Sequence, residues 1–300
     1  MKFPLIGLRG SEPLAFLAAL GILRGASLRW PSARLSWAET APFHPLLELP
    51  GDIGEDELLT ALVAVLRETG ELEFFSKLGT DVKVPPLQFR QLLVELSGRD
   101  DAGAKASLEY LYALGNEAVA DRSGNKLKPT AWHMTAGQQQ FLDMARILLR
   151  ETTDTQLRAA IFQSWQYSDP PPAMRWDTAG ERLYALEARN PSSVQIRTVR
   201  GANALAFLAL PLFPVSVVAG RLCTRGFVRM EERREFFVWP LWTAPLTPPV
   251  VSLLVGDARL ATGKQPLASI RFDGISAVYR SERTVNDHGY GTLRPAEQIL

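Results

Sequence analysis

Residues 169–172, Asp-Pro-Pro-Pro, constrain this chain more than any other four positions. No helix continues through three consecutive prolines, and the residue before each is pushed out of the α region. The hydrophobic period changes across them. Before them, Leu14, Leu17, Ala18, Leu20, Gly21 and Leu23 recur at three and four, forming a helical face of leucines and small residues. Glu55–Glu68 reads as an amphipathic helix with acids in its first turn, where the helix dipole favours them. Helices are also predicted over Leu87–Leu96, Lys105–Leu114, Gln138–Arg150 and Thr155–Gln166, and Leu35 and Trp37 alternate as on a strand. After the prolines, Leu222–Met230 and Phe236–Trp242 are aromatic and β-branched, joined by a charged tip, the pattern of a long antiparallel hairpin. Val250–Leu254 follows two prolines as a short helix, and Ser269–Tyr279 alternates as a strand. The predicted fold class is α+β: a mainly helical domain over 1–168, and over 169–300 a mixed domain with an antiparallel hairpin and short helices. The polar, glycine-bearing stretch 281–300 is expected to be a loose tail or a segment ordered by a partner.

Two apolar runs raise the question of a membrane. Pro13–Leu23 follows Lys2 and Arg9 as a secretory signal would, but Glu12 and Arg24 bracket it and no Ala-x-Ala site follows, so a buried first helix beginning near Ser11 and Pro13 is predicted. Gly201–Gly220 is uncharged and has the length of a bilayer span. Asn203, Pro211, Pro214 and Ser216 interrupt it, which predicts a buried helix, Ala202–Leu210, and a buried strand, Val215–Val218. The expectation is a chain outside the membrane. A single cysteine, Cys223, excludes an internal disulfide, and with only His44, His133 and His288 beside it an ordinary zinc site from nitrogen and sulfur ligands is excluded as well. No metal or cofactor is expected, and the cysteine usage fits a reducing, cytoplasmic setting. Cys223 itself, in a hydrophobic strand, reads as buried and inert.

Enzyme signatures fail on spacing. Gly256 to Gly263-Lys264-Gln265 has six intervening residues where a P-loop has four, and glutamine replaces the magnesium-holding hydroxyl. Gly289-Tyr290-Gly291 lacks the third glycine of a dinucleotide turn, and no nucleophile elbow or His-Glu-x-x-His is present. A nuclease built on scattered acids such as Asp169 and Asp177 is the one enzymatic alternative, and the chain is expected not to be an enzyme.

Charge is more informative than its total. Thirty-three basic and thirty-two acidic residues leave a net charge of +1, so no bulk excess advertises a polyanionic partner. Yet residues 39–81 hold ten acids against Arg67 and Lys77, whereas 194–235 hold seven arginines against three glutamates. Either basic segments face a partner, or they snorkel over the surface and meet those acids. Two segments carry the candidate contacts. In residues 126–141, Thr135 with Gln138 forms a capping box whose helix start would offer free N–H groups to an anion, with Lys126 and Lys128 upstream and Trp132 as a stacking face. The alternative is a core tryptophan beside a capped helix, with His133 a buried, hydrogen-bonded group. In the second segment, Arg197 and Arg200 precede the apolar run, and Arg221, Arg225 and Arg229 follow it at even steps that share one face of a strand. Such a stripe suits phosphates, because the guanidinium fork contacts them in two places, and it equally suits a solubilising outer face.

These islands resemble a known family. Leu-Arg-Gly-Ser-Glu-Pro-Leu-Ala-Phe-Leu-Ala-Ala-Leu-Gly-Ile-Leu-Arg, residues 8–24, is similar to the opening of CRISPR-associated effector subunits of subtype I-G, formerly I-U, where a strand turns into a small-residue helix. The resemblance continues in residues 128–139, Lys-Pro-Thr-Ala-Trp-His-Met-Thr-Ala-Gly-Gln-Gln, in 206–214, in Thr224-Arg-Gly-Phe227 and in Phe237-Val-Trp-Pro-Leu-Trp242. It implies a non-catalytic, large-subunit-like or accessory component of an RNA-guided interference complex, acting beside other effector subunits and a recruited helicase-nuclease, and contacting guide RNA or target DNA. The chain departs from that pattern in being short for a complete large subunit and in its net charge of only +1. A second expectation is an adaptor that docks the helicase-nuclease or another effector subunit without touching nucleic acid.

Overall fold

The computed structural model describes residues 1–136, 139–178, 197–230, 234–261, 269–286 and 289–300. Gln138, the 231–233 part of the charged tip, Gly263-Lys264-Gln265 and His288 lie outside them. Among the described residues the helices are α1 (Pro13–Ser27), α2 (Glu55–Gly70), α3 (Glu73–Leu78), α4 (Pro86–Ser97), α5 (Ala102–Leu114), α6 (Phe141–Glu151), α7 (Asp154–Phe162), α8 (Arg200–Leu208) and α9 (Pro248–Leu254). Strands β1 (Lys2–Pro4), β2 (Arg34–Trp37) and β3 (Pro45–Glu48) form an antiparallel sheet in the order β1-β3-β2. Two-stranded sheets pair β4 (Gly115–Ala120) with β5 (Leu127–Pro129) and β6 (Val215–Val218) with β7 (Arg221–Thr224). The largest sheet runs β11-β10-β9-β8, with β12 also on β10, from β8 (Phe227–Arg229), β9 (Glu235–Trp242), β10 (Ile275–Val285), β11 (Gly291–Leu293) and β12 (Glu297–Gln298). The class is α+β, helices predominating before Asp169 and strands after it.

Helix α1 is the hub. Every residue from Pro13 to Ala26 is buried, as a helix apolar on all sides must be. Its small residues allow neighbouring backbones to approach: a Cβ built on Gly21 would stand 1.7 Å from the Leu205 carbonyl oxygen of α8. Gly201 plays the same part between α8 and α7, where a Cβ would lie 2.4 Å from the Gln156 carbonyl oxygen. One charge enters this layer. Arg24 is held by Glu109, by the Leu208 carbonyl at 3.5 Å and by the face of Tyr110, 5.2 Å from its guanidinium. Beyond α1, Phe16 stacks on Trp37 and meets Trp239 and Trp242, joining the first sheet to the largest one. The Trp242 Nε1 donates to the Leu35 carbonyl at 2.7 Å, and the Trp239 Nε1 to that of Gly10 at 2.8 Å. Buried side chains before and after Asp169 thus belong to one hydrophobic cluster.

The long hairpin is divided. Gly226 takes a left-handed φ of 82° against the rings of Phe237 and Phe213, so residues 222–230 are two strands: β7 turns back onto β6, and only β8 pairs with β9. Val215–Val218 is a strand as predicted, but Ser216, Val217 and Val218 are exposed rather than buried, because β6 and β7 form their own two-stranded sheet. Cys223, on the outward face of β7, is exposed too, contrary to the buried thiol expected there. The charge-free run 201–220 is divided among α8, a 3₁₀ turn at Leu210–Leu212, β6 and the turn after it. No helix of the described residues is long and apolar enough to cross a membrane. The predicted strand Ser269–Tyr279 opens instead with a 3₁₀ turn, Ile270–Asp273, before β10 begins. In place of a loose tail, β11 and β12 add to β10, with Leu293 fully buried.

Candidate nucleic-acid interface

Strand alternation positions the first candidate cation. Leu127 is buried against Gly115, where only a glycine leaves room, so Lys128 points to the opposite face of β5. Just beyond, Thr130 Oγ1 lies 3.2 Å from Thr224 Oγ1, and the Ala131 N–H donates to the same hydroxyl at 2.9 Å. These bonds fasten β5 to the end of β7. Burial of Thr224 inward leaves Arg221 and Cys223 outward. Arg229 ends β8, and among the described residues its side chain makes one loose ion pair, its Nε 3.9 Å from Glu235.

Lys128, Arg221 and Arg229, with Met230, line one open depression of about 440 Å³. Among the described residues no carboxylate lines it. Neither Lys128 nor Arg221 has an ion-pair partner among the described residues. Among the described residues the three cations meet one carboxylate, Glu235, 3.9 Å from Arg229, and so keep a positive potential that an anion relieves; two of them carry forks matched to phosphate. A second depression, of about 390 Å³, adjoins the same segment and is lined by Lys126, Lys83, Asp81, Thr80 and Gln140 among others.

The remaining candidates serve the fold. Trp132 is fully buried, its ring boxed edge-to-face by Phe213, Phe227 and Phe237 at centroid distances of 5.3, 4.6 and 4.7 Å. It therefore has no free face for a base, and the stacking reading gives way to the core one. Of the expected capping box, Gln138 lies outside the described residues, and Thr135 does not cap the helix. Helix α6 starts at Phe141 after Gln140, and Thr135 is buried with an unpaired hydroxyl. The N–H groups of Leu142 and Asp143 donate to the Thr80 carbonyl at 3.0 and 3.2 Å, so the anion site expected at this helix start is occupied by the chain itself. His133 is buried, its Nε2 2.7 Å from Asp81 Oδ1 and its ring stacked on Phe141.

The arginines at even steps do not share one face, since Gly226 separates their strands. Arg225 reaches to α9 instead, its Nη1 donating to the Ser252 carbonyl at 3.0 Å and hydroxyl at 2.7 Å. Arg200 is buried at the start of α8 and bridges to Glu151 at 2.7 Å. Arg197 is exposed and donates to the Ser168 carbonyl at 2.9 Å, away from both depressions. Asp169, offered as a metal ligand, accepts from Gln156 Nε2 and from the Arg200 N–H, both at 2.9 Å, which uses both oxygens to hold α7 and α8 together. Among the described residues no three histidine, cysteine or acidic side chains gather as a metal site would require.

No protein-family model matches the chain, and no curated protein does either. The site is therefore read from its geometry. Many of the acids of residues 39–81 are met by cations from elsewhere: Glu68 by Arg29, Glu71 by Arg150, Glu55 and Asp56 by Arg158, Glu73 by Arg99. Against that pairing, the cations of the first depression stand out. Met230 and Lys83 were not singled out in the sequence. Alternation of Asp81-Val-Lys-Val84, with both valines buried, carries the signal for Lys83. Burial pushes the Asp81 carboxyl up, but the hydrogen bond and charge of His133, with Lys83 nearby, outweigh it and hold the group below its ordinary value.

Proposed function

We propose that this chain is a non-catalytic subunit of an RNA-guided CRISPR interference complex of subtype I-G, acting in the cytoplasm beside other effector subunits and in contact with guide RNA or target DNA. The family resemblance of residues 8–24, 128–139, 206–214, 224–227 and 237–242 motivates the lineage. The observation that carries the contact is the convergence of Lys128, Arg221 and Arg229 on one depression, with no carboxylate lining it among the described residues. In such a complex base pairing reads sequence, and protein cations hold the backbone. Binding of fluorescent oligonucleotides to the purified chain, measured over a salt series, tests this. Replacing all three cations by alanine is expected to weaken binding and to reduce the salt slope by roughly 2 to 3 units, one for each lost phosphate contact. An unchanged slope and affinity would remove the depression from the interface.

The adaptor reading is favoured by a different surface. Leu87 and Val94, seven residues apart on α4 and so on one helical face, are 65% and 64% exposed. An effector subunit or helicase-nuclease docking there would not need the basic depression, and Leu87→Ser with Val94→Ser would abolish it while leaving oligonucleotide binding intact.

A further inference from the structure

The second depression differs from the first in chemistry. The first offers cations and a methionine, which grip a phosphate and make no other demand. The second sets Lys83 and Lys126 beside a carboxylate, a hydroxyl and an amide, those of Asp81, Thr80 and Gln140. Lys83 lies near enough to favour the carboxylate's charge, but among the described residues neither lysine forms an ion pair with Asp81. Its Oδ1 accepts from His133 Nε2 at 2.7 Å and from the Val82 N–H at 2.6 Å, which fixes the carboxylate in place, and among the described residues no hydrogen bond reaches Oδ2. A rigid, ionised acceptor beside lysines fits a ligand that carries a hydroxyl donor next to an anionic group. The ribose of an RNA strand is such a group, its 2′-hydroxyl adjoining the phosphate.

The two depressions are also in register with a strand. Lys126 and Lys128 stand two residues apart with Leu127 buried between them, a step of about 7 Å along an extended segment. That is the step a single-stranded backbone makes from one phosphate to the next, and among the described residues neither depression offers an aromatic face for a base. We propose that the depression around Asp81 is a ribose-reading subsite, so that the strand held at Lys128, Arg221 and Arg229 is single-stranded RNA, taken without preference for base. This rests on the nucleic-acid reading given above and narrows it. A deoxy strand presents no hydroxyl to Asp81, leaving only a phosphate for the carboxylate to repel, so the same residue that accepts RNA disfavours DNA.

Fluorescence anisotropy with the full chain provides the test. Oligouridylate and oligodeoxyuridylate of equal length differ only at the 2′ position. The wild-type chain is expected to bind the ribo strand roughly tenfold tighter, the effect of one hydrogen bond to a charged acceptor. A 2′-O-methyl strand, which cannot donate, should bind like the deoxy strand, and this arm needs no variant. Asp81→Asn, checked for an unaltered circular dichroism spectrum, should weaken ribo binding and bring the two affinities together. Equal binding of ribo and deoxy strands by the wild-type chain would overturn the ribose subsite and leave the nucleic-acid reading standing. A ribo preference that survives Asp81→Asn, or that the 2′-O-methyl strand shares, would also overturn it. Binding of neither strand would overturn the nucleic-acid reading and this inference together.

Discussion

Lys128 and Trp132 lie four residues apart and answer to different forces. The tryptophan is boxed by three phenylalanines and by Trp176, whose Nε1 donates to the Trp132 carbonyl at 2.9 Å. Truncating it leaves an aromatic-sized cavity in a close-packed core. Trp132→Ala should therefore cost about 3 to 5 kcal/mol, read as a lowered midpoint in chemical denaturation. Lys128 is partly buried, beside a surface depression, and its side chain pairs with nothing among the described residues. Lys128→Ala should leave the same midpoint within about 0.5 kcal/mol while weakening oligonucleotide binding. A tryptophan variant of native stability would mean that the aromatic box is not packed as described. The signal that separates the two was weak in the sequence: Trp132 sits between Ala131 and His133 in a segment with no regular period, so neither a helical nor a strand template says which way the indole points.

At the scale of elements, the contact between α1 and α8 sets how close the helical layer can come. The Gly21 position tolerates no side chain, since a Cβ there would overlap the Leu205 carbonyl oxygen. Gly21→Ala forces two fully buried helices apart, and overpacking of that kind typically costs about 1 to 3 kcal/mol or more. Gly98 supplies the comparison. It ends α4 with a right-handed φ of −79°, and a Cβ there meets only carbonyl oxygens at 3.7 Å. In thermal melts Gly98→Ala should be nearly neutral and Gly21→Ala should melt lower, and a Gly21→Ala variant that melts alongside Gly98→Ala would show that α1 and α8 do not touch through their backbones. The small-residue face of α1 was legible from the spacing of Leu14, Leu17, Ala18 and Gly21. Its partner was not, because nothing in a sequence says which of several apolar helices will lie 180 residues away in the groove.

Across the whole molecule the last strands close the largest sheet. Leu293 is fully buried, the Gly291 N–H donates to the Met134 carbonyl at 3.0 Å, and Ser281 Oγ donates to that of Arg294 at 2.5 Å. Composition made residues 281–300 look like a solvated tail, whereas long-range pairing with β10 gives their backbone groups partners that local sequence cannot. Removing residues 287–300 should uncover that edge of β10 and the Met134 region together, lowering the thermal midpoint by several degrees and broadening the transition. A truncated chain that melts like the full one would return the segment to the status of a tail.

The sequence by itself determined the things that depend on local period and local sterics. The α+β class, the helices at α2, α4 and α5 to within a few residues and the buried first helix all follow from spacing. The tertiary structure alone decided which arginines are tied into the fold and which face the depression. Arg200, Arg221, Arg225 and Arg229 are alike in sequence, yet one is buried against Glu151, one is bonded to Ser252, and two face a depression with Lys128. A charged side chain is long enough to reach whichever partner the packing of distant elements brings near, and the free energy of an ion pair depends on that distance and on the surrounding solvent. Neither quantity exists until β5, β7 and β8 have been assembled.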